Sequence, residues 1–144
     1  MANLRAGVPV QIHLETMMKN AEDSNSFVFD LTGQLVQIGE TIYIRYVELG
    51  EEGEVPVTVK IMPNGDVRLT RAAGSRLQLL FSPGKRVTAH YKTPYGLMDI
   101  DTVTPNMDID ISDGPLRGNL AIDYLLYAGE ELLGKYNIRL QFTI

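Results

Sequence analysis

Tyr46, Tyr91, Tyr124 and Tyr136 are the residues best placed to handle a ligand, because each falls on an apolar row of a period-two segment. A phenol pairs one hydroxyl with a large apolar ring, so a buried one needs a hydrogen-bond partner. Several facing one cavity would orient the polar end of an otherwise apolar molecule. The competing reading has these tyrosines closing strand ends with their hydroxyls in water. A second candidate set is Asp99, Asp101, Asp108 and Asp110. A two-residue loop at Pro94-Tyr95 would pair Tyr91 with Met98, His90 with Asp99 and Thr88 with Asp101. A similar turn near Thr104-Pro105 would set Asp101 opposite Asp108 and Asp99 opposite Asp110. Four carboxylates would then share one outer patch, where like charges repel unless His90, a basic protein partner or a cation compensates them. Flat strands rarely wrap an ion that wants about six to eight oxygens, so no metal is expected and the patch reads as a solvated face or a contact for a basic protein.

Catalytic groupings are sparse. The histidines, His13 and His90, both stand on outward rows and neither has metal-binding spacing. His90 beside Asp99 reads as a surface pair, and a weak hydrolase or isomerase using His90 is the catalytic alternative. No serine has a nucleophile-elbow context, and no glycine-rich phosphate loop is present. Asp108-Ile109-Asp110-Ile111-Ser112-Asp113-Gly114 imitates a calcium loop, but its apolar alternation marks a strand and its exit turn. The expectation is a protein without catalytic residues, cofactor or metal.

The elements that must carry these residues are strands. Val8, Val10, Ile12, Leu14 and Met18 form one row, Phe27, Phe29 and Leu31 begin the next strand after a polar loop from Asn20 to Ser26, and Gly33 marks a bulge or barrel corner. Ile42, Ile44 and Tyr46 continue the inner face, followed by an exposed acidic loop from Gly50 to Glu54 and the row Val55, Val57, Val59 and Ile61. Pro56 lacks an amide hydrogen and belongs near a strand start or on an edge. Asn64-Gly65 predicts a type I′ hairpin. Leu77, Leu79 and Phe81, then Val87, Ala89 and Tyr91, Met98 and Ile100, and Met107, Ile109 and Ile111 follow. The rows Leu120 to Leu126 and Tyr136 to Ile144 complete the series. Only Gly129 to Leu133 has room for a helical turn.

At 144 residues the chain reads as a single domain over 1–144, long enough to bury a large core. Thirteen basic against eighteen acidic residues give a net charge of -5, which disfavours nucleic acid and anionic membranes. Arg68, Arg71, Arg76, Lys85, Arg86 and Lys92 read as solvated turns and edges. The lack of cysteine and of any signal-like or spanning apolar segment points to a soluble, cytoplasmic protein.

The order and spacing of Tyr43-Ile44-Arg45-Tyr46-Val47-Glu48, Asn64-Gly65-Asp66-Val67-Arg68-Leu69-Thr70-Arg71, Phe81-Ser82-Pro83-Gly84, Tyr91-Lys92-Thr93-Pro94-Tyr95-Gly96 and Ile122-Asp123-Tyr124-Leu125-Leu126 resemble the YwiB-like family of small bacterial proteins. The likeness runs from the first strand to the last. It implies a calycin-type barrel, similar to lipocalins and fatty-acid-binding proteins, and supplies no established functional residues. Pro56 and the aspartate-rich stretch after Ile100 depart from the family pattern. The fold expected is therefore all-β, a single antiparallel up-and-down β-barrel of about eight to ten strands. The leading functional expectation is a non-enzymatic barrel binding a small, mainly apolar ligand through Tyr46, Tyr91, Tyr124 and Tyr136. The alternative is a packed interior with a basic protein partner on Asp99, Asp101, Asp108 and Asp110.

Overall fold

The computed structural model describes residues 6–50, 53–73, 75–93 and 95–144, which form ten antiparallel strands and no helix. They are β1 (Val8–Lys19), β2 (Ser24–Ile38), β3 (Thr41–Gly50), β4 (Gly53–Ile61), β5 (Val67–Ala73), β6 (Ser75–Phe81), β7 (Arg86–Thr93), β8 (Gly96–Ser112), β9 (Arg117–Ala128) and β10 (Glu131–Thr143). The sheet order is β6-β5-β4-β3-β2-β1-β10-β9-β8-β7. Each strand pairs with its chain neighbour, except that β1 closes on β10 and β6 is not laddered to β7. At that seam the chain turns through Ser82 to Lys85, and Pro83 forms a single bridge to Thr104. The barrel is nearly closed, which removes most of the free edge that an open sheet would present.

Alternation dictates the core. Val8, Val10, Ile12 and Leu14 are buried on β1, as are Val55, Val57, Val59 and Ile61 on β4 and Ile138, Leu140 and Phe142 on β10. Intervening residues face out, as the pleat requires. Phe142 lies where Gly118 leaves room, since a Cβ there would stand 2.5 Å from the ring.

Several local expectations are corrected. The Asn64-Gly65 turn is not type I′, because Asn64 has negative φ and only Gly65 is left-handed, at φ 92°. Pro63 fixes an ordinary φ at the first corner, and Gly65 N–H donates to Met62 O at 3.0 Å, so the turn begins one residue earlier than the pair implies. The polar loop after β1 is shorter than expected. Asn20 Oδ1 accepts from the amides of Glu22 and Asp23, and β2 is already paired at Ser24. Gly129 to Leu133 contains no helical turn; Ala128 and Glu131 pair directly across a hairpin. Pro56 sits where β4 is paired to β3 and not yet to β5, as its missing amide hydrogen demands. Met1 to Arg5, Glu51 and Glu52 of the acidic loop, Gly74 and Pro94 lie outside the described residues.

Gly33 marks the feature that positions the site. β2 pairs with β1 from Ser24 to Leu35 but with β3 only from Gln34 to Ile38. Toward Ser24 it parts from β3, so the barrel wall splits between them. A side chain at Gly33 would put its Cβ 2.5 Å from Arg45 O and 2.6 Å from Ile12 Cδ1, so only glycine fits at the apex of the split.

Candidate functional site

The split opens onto a cavity of about 470 Å³ at the barrel end where β1 meets β2 and β9 meets β10. Its walls come from inward rows on both sides, including Leu14, Leu69, Leu79, Leu126 and Ile138. Met17, Phe27 and Leu49, all substantially exposed, stand at its rim. An apolar cavity of this size with a few polar groups is the usual form of a small-molecule site.

Three tyrosines supply polar groups. Tyr46 is 5% exposed and Tyr124 9%, while Tyr136 is half-buried. Tyr124 and Tyr136 stack with centroids 5.0 Å apart, and the Phe81 ring, tilted against Tyr124, has its centroid 4.6 Å away. Gly134 makes room for this stack, because a Cβ there would come 3.1 Å from the Tyr136 ring. Among the described residues none of the three hydroxyls has a hydrogen-bond partner. Burial pushes the Tyr46 and Tyr124 phenols well above their ordinary range, and Glu48 adds to the effect at Tyr46. Burial alone raises Tyr136. All three therefore stay protonated and keep an O–H to donate.

Glu48 and Arg71 complete the polar set. Arg71 Nη2 donates to Glu48 at 2.9 Å, with Glu48 largely buried and Arg71 about half exposed. Both line the cavity, where Arg71 remains exposed as expected of a solvated edge. The signal that could have found them is parity: Arg71 continues the row Val67, Leu69, and Glu48 continues Ile42, Ile44, Tyr46.

The sequence profile described as a domain of unknown function, DUF1934, matches residues 12–140. The chain belongs to the DUF1934 family. Its relatives include the uncharacterized beta-barrel protein YwiB of Bacillus subtilis (strain 168), 22% identical over 139 residues and covering 96% of each chain. The crystal structure of the ywiB protein from Bacillus subtilis superposes with a TM-score of 0.80 at 20% identity, covering 98% of this chain and 94% of that one. The DUF1934 match spans the cavity residues named above, from Leu14 to Ile138.

Within this DUF1934 barrel, Tyr46, Tyr124 and Tyr136 meet at the cavity and Tyr91 does not. Tyr91 pairs with Met98, whereas the last β8–β9 pair on that side is Asp101 with Tyr127. The β7–β8 hairpin therefore overhangs the rim and carries Tyr91 away from the cavity.

The aspartate patch is also corrected. The pairings His90–Asp99 and Thr88–Asp101 form as the two-residue loop requires. Thr104-Pro105, however, is not a turn. β8 runs through it with a bulge between Val103 and Asn106, because Pro105 cannot donate to the ladder and β9 pairs with β8 on both sides of it. Asp101 thus faces Tyr127, Asp108 faces Ala121 and Asp110 faces Asn119. Asp108 lies seven positions along the same strand from Asp101, about 20 Å at strand rise, so Asp99, Asp101, Asp108 and Asp110 do not form the compact patch expected of paired strands. Asp101 is occupied locally: the Thr88 hydroxyl at 2.6 Å and Arg86 Nε at 2.7 Å hold its carboxyl below the usual range.

Both histidines lie outside the barrel beside carboxylates. His90 Nδ1 is 2.6 Å from Asp99, and His13 Nδ1 is 2.7 Å from Asp30, which raises the His13 pKa. Neither lines the cavity. Among the described residues no cluster of three metal-ligating side chains occurs, and no helix is long and apolar enough to cross a membrane.

Proposed function

We propose that this chain is a binding protein, not an enzyme, that takes a small, mainly apolar ligand into the barrel mouth with Tyr46, Tyr124 and Tyr136 as polar handles. One observation carries the reading: a cavity of about 470 Å³ walled by aliphatic side chains holds two nearly buried tyrosines whose hydroxyls have no protein partner. Filling the interior with side chains would have left no such space. The split between β2 and β3 gives a ligand a way in without unfolding a ladder. The lack of cysteine fits work in a reducing, cytoplasmic setting.

Native mass spectrometry of the protein purified from its source cells tests this reading. A co-purifying small molecule that is lost from a Leu79→Trp variant is the expected result. The chain mass alone, with no thermal shift from any apolar additive, would refute it.

A further inference from the structure

We propose that Arg71 is the anion receptor of this cavity and that the ligand is a single-chain amphiphile ending in a carboxylate. This rests on the binding reading above and names the ligand class for the same site. The groups converging on the cavity are mostly donors. Tyr46 and Tyr124 offer O–H groups that burial keeps protonated, and Arg71 offers a guanidinium. Five N–H groups in a planar fork can serve two carboxylates on different edges, and the bond to Glu48 accounts for one of them. Glu48 fixes the guanidinium at the cavity wall and leaves the rest of it half exposed toward the mouth.

The charge balance narrows the head group. Glu48 offsets the Arg71 charge, so every anionic head adds uncompensated charge to the cavity, and a doubly charged phosphate adds twice what a singly charged head does. A carboxylate brings one charge and spreads it over the phenols and the free guanidinium edge. An ammonium head would meet donors only, apart from a glutamate already engaged. An alkane would displace water from the two phenols and leave both unpaired. At about 30 Å³ per water in the liquid, the cavity holds the equivalent of roughly fifteen waters, enough for a chain of dodecanoate size.

Isothermal titration with dodecanoate, dodecanol and dodecylammonium, on wild type, Arg71→Met and Glu48→Gln, tests the assignment. Dodecanoate should bind tightest. Arg71→Met should weaken it by about ten- to a hundredfold, as loss of a charge-assisted bond does, while leaving dodecanol unchanged. Glu48→Gln should tighten dodecanoate by removing a like charge. A merely structural ion pair would instead weaken every ligand equally in both variants. Dodecanol binding as well as dodecanoate, with Arg71→Met indifferent between them, would overturn the receptor role and leave the cavity reading standing. No binding of any of the three would overturn both.

Discussion

At the residue scale, the protein turns on a few positions where size or protonation is critical. Gly33 is one, since its missing Cβ lets β2 pass Arg45 and Ile12 before diverging from β3. Gly33→Ala should destabilise the fold by about 1–3 kcal/mol, the usual cost of overpacking, as measured by chemical denaturation. The phenols give a second test. A phenol is neutral when protonated, and burial raises the folded pKa of Tyr46 and Tyr124 above the unfolded value. The folded state then keeps protons that the unfolded chain releases above about pH 10. Their contribution is complete below that pH and is lost as pH rises toward the folded values. Denaturation midpoints should fall above pH about 10 in wild type and fall less steeply in Tyr46→Phe and Tyr124→Phe. Arg71 shows what alternation concealed. Its parity placed it inward, but charge argued for solvent, and only the knowledge that its end of β5 lies at an open mouth reconciles the two.

At the element scale, the strands were legible because each buries one row and exposes the other, and period two survives in a single sequence. The β7–β8 register was legible for the same reason, with a short loop fixing it. Thr104-Pro105 was not. A proline that ends ladder pairing marks a bulge as well as a turn, and what decides between them is β9, which pairs with β8 on both sides of the bulge from later in the chain. The β2–β3 split was likewise hidden, since both strands continue their alternation past the point where they part. Their unpaired stretches make a prediction. Amides of β2 between Ser24 and Thr32 that point toward β3 should exchange with solvent much faster than those from Gln34 to Ile38, as read by hydrogen exchange and NMR. Equal protection along β2 would mean that the wall is closed. Arg86 gives a contrasting case at the rim: it binds Asp101 and Gly129 O and lies over the Tyr127 ring, tying the overhanging hairpin to its neighbour.

At the scale of the whole molecule, a meander that closes β1 on β10 buries one apolar interior but leaves it incompletely filled at one end. The lower half is packed by Leu35, Ile44, Val67 and Phe142; the upper half carries the tyrosines and the Arg71–Glu48 pair. A ligand that binds only the folded barrel should raise its stability by about 2.7 kcal/mol at a hundredfold excess over Kd, which calorimetry reads as an upward shift in Tm. Intermolecular NOEs between dodecanoate and the methyl groups of the protein test the central claim most directly. The account predicts contacts from the alkyl chain to Leu14, Leu69, Leu79 and Ile138 inside the cavity. Contacts confined to the exposed rim at Phe27 and Leu49, or none, would contradict it.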